Sequence, residues 1–155
     1  MLLDAYAYTV RCVVVKALHH VALSVRDLDR SIAFYCGLLG MEKLHQVSFG
    51  GETMELITRL PHARGRAAML RVGGQNIEIF EFSEPIPKAP EVQRPVCDHG
   101  ISHFCVEVDD LEQEYERLKA AGVEFHCAPQ PFGNMKSTYA RDPDGNVFEL
   151  LEIPS

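Results

Sequence analysis

The sequence predicts an α+β protein made of two tandem βαβββ modules. Three observations carry that prediction. The chain has 155 residues, the length of one ordinary domain or of two small modules sharing a core. Its second half repeats the pattern of its first. Within each half the apolar spacing runs from strand period to helix period and back in the same order. The composition, 46% hydrophobic and 24% charged, is that of a soluble globular domain and excludes a disordered chain, a collagen or a membrane span. With 15 Lys+Arg against 22 Asp+Glu, a net charge of −7, nucleic acid and anionic membrane are not expected partners. That balance still allows a local basic pocket for a small-molecule anion. The five cysteines, an odd number with no C-x-x-C, argue against a disulfide framework or a zinc knuckle and for a reduced, cytoplasmic setting. Asp4 and Arg11 spoil the N-terminus as a signal peptide.

The repeat sets the boundaries. LHHVALSVRDLDRSIAFYCGLLGMEK in the first half matches ISHFCVEVDDLEQEYERLKAAGVEF in the second, with His20 on His103, Val25 on Val108, Asp27 on Asp110 and Leu28 on Leu111. The copies also close alike: Ile77–Glu81 matches Phe148–Glu152. Four segments follow: an N-terminal extension, 1–17; a first module, 18–82; a proline-rich linker, 83–98; and a second module, 99–155. In the extension, Tyr6–Val15 is expected as an extra edge strand or dimerisation arm, or as a loosely held tail.

In the first module, His20–Val25 alternates as a strand. Asp27 caps a helix whose Ile32, Phe34, Tyr35, Leu38 and Leu39 recur at helical spacing, and Gly40 ends it. Strands are expected near Glu42–Phe49, Ala67–Val72 and Asn76–Phe82. In the second module the order repeats, with Asp110 as cap, Leu111, Tyr115 and Leu118 on the helix, and Gly122 at its end. Its later strands are expected near Val123–His126, Ser137–Arg141 and Val147–Ile153. The last two form a hairpin across Asp142-Pro143-Asp144-Gly145-Asn146, a strong turn sequence. QPFGNMK reads as a connecting loop, placed to close over a substrate or merely to join strands.

Strand alternation then sorts the polar residues. Val21, Leu23 and Val25 lie under the first helix, and His20, Ala22 and Ser24 face away. Phe104, Val106 and Val108 lie under the second, and His103, Cys105 and Glu107 face away. Ile77, Ile79, Phe148 and Leu150 take the helix side of the closing strands, which puts Glu78 and Glu149 on the other face and returns Glu81 and Glu152 to the helix side. His20, Glu78, His103 and Glu149 thus share one face as two repeat-related pairs. For any one of them a structural or solvent-facing role is the ordinary reading. Their recurrence at matched positions points instead to a divalent metal held by imidazole and carboxylate. His19 is assigned to the helix side and is not a ligand. His45, His62, His99 and His126 have no repeat partner and read as structural or surface residues. Cys105 shares the His103 face and reads as a small core residue, with a place lining the cavity as the alternative.

At these residues the chain resembles the vicinal oxygen chelate superfamily, which includes glyoxalase I, acyl-CoA epimerases, fosfomycin and bleomycin resistance proteins and extradiol dioxygenases. HVALSVRDLDRSIAFYCGLLGM, IEIFEF, SHFCVEVDDLEQEYERLKAAGV and DPDGNVFELLE carry the likeness, which spans about residues 17–153. The resemblance implies that the paired modules curl into a half-open barrel around a metal cleft, with His20, Glu78, His103 and Glu149 as ligands. It implies a Zn, Ni, Co, Mn or Fe ion that acidifies a C–H beside a carbonyl and stabilises an enediolate. Glu149 is the candidate base, with Glu78 opposite it. It further implies a homodimer. The resulting expectation is a metal-dependent lyase or isomerase of the glyoxalase type. The alternatives are an epimerase of the methylmalonyl-CoA kind, an Fe(II) extradiol-type dioxygenase, and a metal-free binding protein whose cavity-side Phe80 and Phe82 hold a drug-like ligand. Basic groups for glutathione carboxylates are available in Arg59, Arg64, Arg66, Arg71, Lys136 and Arg141, each equally readable as solvated surface charge.

Overall fold

A computed structural model describes residues 15–88 and 94–154. The first module runs β1 (Val21–Ser24), α1 (Leu28–Ile32), a π-helical continuation (Ala33–Leu38), β2 (Glu42–Phe49), α2 (Glu52–Thr58), β3 (Arg64–Val72) and β4 (Gln75–Glu84). The second runs β5 (Phe104–Glu107), α3 (Leu111–Ala120), β6 (Glu124–Phe125), β7 (Gln130–Phe132), β8 (Met135–Arg141) and β9 (Val147–Glu152). The strands form two sheets, ordered β1-β4-β3-β2 and β5-β9-β8-β6, with β7 added beside β8. Among the described residues, no closed barrel forms. The repeat is exact in register at its centre: β1 runs parallel to β4 with Ala22 beside Glu78, and β5 runs parallel to β9 with Cys105 beside Glu149.

The helix starts explain why each copy carries an aspartate early and a second glutamate late. Asp27 accepts from the Arg30 amide at 3.0 Å, and Asp110 from the Gln113 amide at 2.9 Å, the N-cap bonds expected of those residues. Glu81 reaches across from β4 to accept the Leu28 amide at 2.8 Å, and Glu152 reaches from β9 to the Leu111 amide at the same distance. Two otherwise orphaned amides at each helix start are thereby satisfied, one locally and one from the sheet.

Four elements differ from the expectation. The first helix is not α-helical up to Gly40: it widens to π geometry from Ala33, which turns both Phe34 and Tyr35 into the core. Gly40 then takes the left-handed turn, at φ 67°. A further helix, α2, stands between β2 and β3. Its Glu52 and Glu55 favour the helix start, but no residue in it is buried, so it lacks the apolar periodicity that reveals a helix in sequence. The strand placed near Val123–His126 is reduced to the two residues of β6. QPFGNMK, read as a connecting loop, is a tight β7–β8 hairpin, with Phe132 pairing Met135 across Gly133 at φ 66°. At the module boundary, β4 extends through Ser83 and Glu84, the first residues assigned to the linker. The Tyr6–Val15 arm lies outside the described residues except for Val15, which is exposed.

The core is shared between the modules. Phe34 and Tyr35 lie in one buried cluster with Ala68, Ile77 and Ile79 of their own sheet and with Leu111, Leu118, Phe148 and Leu150 of the second module, so the first helix is held between the two. Phe34 meets Phe148 edge-on at 5.9 Å between ring centroids. The fully buried Tyr35 donates its hydroxyl to Asp142 Oδ2 at 2.7 Å. Arg30 pairs with Asp144 at 2.8 Å in the same turn. Among the described residues, no helix is long and apolar enough to cross a membrane.

Candidate functional site

The face of each sheet opposite its helix carries one His–Glu pair. His20, one residue ahead of β1, brings Nε2 to 3.1 Å from Glu78 Oε2. His103, one residue ahead of β5, brings Nε2 to 3.1 Å from Glu149 Oε2. The alternation read from the sequence holds on both sheets. Val21 and Leu23 are more buried than Ala22 and Ser24, and Phe104 and Val106 more than Cys105 and Glu107. Ile77 and Ile79 are buried under the helix side while Glu78 stands between them on the open face.

The residue before each histidine fixes its ring, a feature the sequence reading missed. His19 Nδ1 hydrogen-bonds His20 Nδ1 at 2.7 Å, and Ser102 Oγ hydrogen-bonds His103 Nδ1 at 2.9 Å. With Nδ1 engaged, Nε2 is the atom presented to the carboxylate in both modules. Engagement of the second ring nitrogen is the usual way in which a metal-binding imidazole is held to one orientation. His19 is therefore not under the helix as expected. It is exposed and leans on its neighbour. The position-by-position match of 19 with 102 was the signal available in the sequence.

The surroundings of the two glutamates differ. Across from Glu149 on β8 stands Tyr139, and across from Glu78 on β3 stands Met69. Ser137 donates to Glu149 Oε1 at 2.5 Å, where the matching residue of the first module is Ala67. The His103 ring lies 4.7 Å from that of Tyr139, and His126, read as structural or surface, lies 6.0 Å from the same ring. Burial, and then the Glu149 charge, raise the Tyr139 phenol. Burial, and then Arg141, hold the His126 imidazole below its ordinary value. Cys105 is exposed as a residue, yet packing around its sulfur and then the Glu149 charge push the thiol up to about 12, so it stays protonated. Glu149 thus sits in a polar, hydrogen-bonded setting and Glu78 in a plainer one.

Within a single chain the pairs stay separate. Among the described residues, no three of the four candidate ligands bring donor atoms within 4.8 Å of one another. Asp110, Glu112 and Glu152 do, but Lys136 occupies that cluster, at 2.8 Å from Glu112 and 3.5 Å from Glu152. The basic residues suggested for glutathione are mostly engaged elsewhere. Arg64 pairs with Glu84 at 2.5 Å, and Arg66 pairs with Asp29 and Glu81 on the helix side. Arg71 leans on Asn76. Arg141 is buried and donates to the Gly145 carbonyl at 2.7 Å. Arg59 ends α2 in a left-handed conformation.

Comparison with known proteins finds relatives of the whole described fold. A curated 2-epi-5-epi-valiolone epimerase from Actinomyces sp is 31% identical over 152 residues, covering 90% of this chain and 80% of the relative. A probable chloroplastic lactoylglutathione lyase from Arabidopsis thaliana is 31% identical over 135 residues, 86% of this chain but only 35% of that longer protein. A solved glyoxalase family protein from Bacillus cereus superposes with a TM-score of 0.82 at 24% identity, covering 89% of this chain and 94% of that one. The model of the Glyoxalase/Bleomycin resistance protein/Dioxygenase superfamily matches residues 17–150. That match takes in most of the chain and both copies of its module, and the chain is a member of that superfamily.

Proposed function

We propose that the protein is a divalent-metal-dependent lyase or isomerase that moves a proton at a carbon beside a carbonyl, with His20, Glu78, His103 and Glu149 as metal ligands. The observation that carries this reading is the duplicated His Nε2–Glu Oε2 approach at 3.1 Å, each imidazole already held at Nδ1. Two imidazoles and two carboxylates suit Zn, Ni, Co, Mn or Fe rather than a thiolate-seeking ion. When bound, such an ion supplies Lewis-acid polarisation of adjacent substrate oxygens. The protein's own part is proton handling. Glu149 takes the proton on its Oε2 side while Ser137 steadies Oε1, and Glu78 stands as the second carboxylate. Because the two pairs of one chain stay apart, the full ligand set is completed in a homodimer, the first-module pair of one protomer meeting the second-module pair of its partner.

An epimerase is the second reading. It is favoured by the internal engagement of the arginines and lysine that a glutathione substrate needs and by the name of the Actinomyces relative.

The test is exchange of a substrate α-proton with deuterated water in metal-replete protein, with metal content measured alongside. Glu149→Gln is expected to keep the metal and lose ~10²–10⁴-fold in exchange, the usual contribution of a general base. His20→Ala combined with His103→Ala is expected to lose the metal. Full exchange in the Glu149→Gln protein removes Glu149 as base. Metal retained in the double histidine variant removes the ligand assignment.

A further inference from the structure

The open face of the first sheet carries an aromatic surface beside the His20–Glu78 pair. Phe80 and Phe82 follow Glu78 at alternate positions of β4, so all three side chains share a face. Their rings stack, 5.8 Å apart and 18° from parallel. Phe49, at the end of β2, stands edge-on to both, at 5.4 and 5.1 Å. Gly65 lies against that ring and the neighbouring strand: a Cβ there would come within 2.0 Å of the Glu81 carbonyl oxygen and 2.8 Å of Phe49 Cζ. The trio is only half-buried. A structural cluster of this size ordinarily lies in the core, and here the core is on the other side of the sheet.

Phe82 also lines a cavity of about 550 Å³ together with Ile86, Pro87, Arg26 and Lys88. That volume is in the range of small-molecule sites. The cavity carries two cations and one carboxylate, Asp144, which Arg30 pairs at 2.8 Å. Among the described residues neither Arg26 nor Lys88 pairs with a carboxylate; they share this with cations such as Lys43 and Arg59, but these two line a cavity. The cavity shares Ser24 and Asp144 with a second one, of about 470 Å³, that His103 lines. Along β4, Phe82 is roughly 13 Å from Glu78, with Phe80 halfway.

We infer that this cleft selects a substrate with an aromatic body and an acidic end: the ring system lies against Phe82 and Phe80, and the acid meets Arg26 and Lys88. The inference rests on the metal-site reading above only for the end of the molecule that reaches His20 and Glu78. It gives the site a substrate class, an aryl acid, that differs from a glutathione adduct. Stacking against an exposed ring face and a charge-assisted bond to guanidinium or ammonium are the two recognition terms.

Isothermal titration of the metal-replete full chain with 4-biphenylcarboxylate, 4-biphenylcarboxamide and glutathione separates these terms. The carboxylate is expected to bind about tenfold more tightly than the amide, the scale of one hydrogen bond to a charged group, and more tightly than glutathione. Phe82→Ala is expected to weaken both biphenyl ligands about tenfold. Arg26→Gln combined with Lys88→Gln is expected to bring the carboxylate down to the amide's affinity. Phe82→Leu keeps the apolar bulk, so it controls for folding and isolates the ring. Glutathione binding more tightly than the carboxylate overturns the inference. So does unchanged affinity in Phe82→Ala, or in the double cation variant. Metal content and α-proton exchange are read separately: their failure with ligand binding intact refutes the catalytic reading and leaves the aryl-acid site standing.

Discussion

Replacing Tyr35 by Phe removes a single hydroxyl from the junction between the modules. The ring is fully buried and stays so. The lost bond is the 2.7 Å donation to Asp142 Oδ2. Asp142 keeps three donors, the amides of Asp144 and Asn146 on Oδ1 and the Asn146 side chain on Oδ2, so no carboxylate oxygen is orphaned. A hydrogen bond to a charged acceptor is worth ~1.5–3 kcal/mol, and the remaining donors put this one in the lower half, about 1.5–2 kcal/mol. For a chain of this length, an unfolding entropy of ~2.1 cal/mol/K per residue converts that to a fall in Tm of roughly 5–6 °C. The alkaline limb provides an independent check. Burial first, then the Asp142 charge, raise the Tyr35 phenol above its ordinary value of about 10. Above pH 10 the unfolded chain therefore releases a proton that the folded chain retains. Stability attributable to Tyr35 is complete below that pH and declines above it by about 1.4 kcal/mol per pH unit. Urea titrations of wild type and Tyr35→Phe at pH 7 and across pH 9.5–11.5 measure both effects. The curves should converge as the pH rises, since Phe has nothing to release and Tyr139 is common to both. A variant as stable as wild type at pH 7, or a stability difference that does not change above pH 10, refutes the reasoning.

Two further outcomes follow from the repeat. His19→Ala and Ser102→Ala each free one imidazole Nδ1, and each should weaken metal binding ~10–100-fold, the usual cost of losing such a support. Competition with a chelator reads the change, and Ser102→Thr should restore most of it by returning a hydroxyl. Glu81→Ala and Glu152→Ala each unsatisfy a helix-start amide, and each should cost about 1–2 kcal/mol in urea titrations. The two losses should add within ~0.5 kcal/mol because the sites lie in different modules.

Much of this was readable from the chain because strands and caps are local. The Asp27 and Asp110 caps, the turn at 142–146, and the face assigned to each residue of β1, β4, β5 and β9 depend on neighbours in sequence, and the two His–Glu pairs follow from period-two alternation. What escaped depends on distant partners. Nothing in Ala33–Leu38 announces π geometry, which is set by the space for Phe34 and Tyr35 against Phe148 and Phe104. α2 escaped because it buries nothing. Asp142 reads as a turn former, yet its buried carboxylate also ties down the first module. Alternation also fixes which face a ligand occupies but not how far apart two faces lie. The separation of the two pairs within a chain was therefore beyond a reading of single strands.

The dependence of α1 on the far end of the chain bears on how the protein is made. Synthesis runs from the N-terminus at ~5–20 residues per second, so Tyr35 is translated long before Asp142, Phe148 and Leu150 exist to cover it. The first module can pair its strands and seat its helix on Ile77 and Ile79 as soon as β4 is complete, but the side of that helix that meets Phe148 stays uncovered until almost the last residues have been added. During that interval the exposed Phe34 and Tyr35 are a hazard for the nascent chain, a surface for chaperones or for a neighbouring copy on the same message. A ribosome stalled within β8 leaves a product whose earliest helix lacks the second module's half of its cover, though every residue of that helix is present.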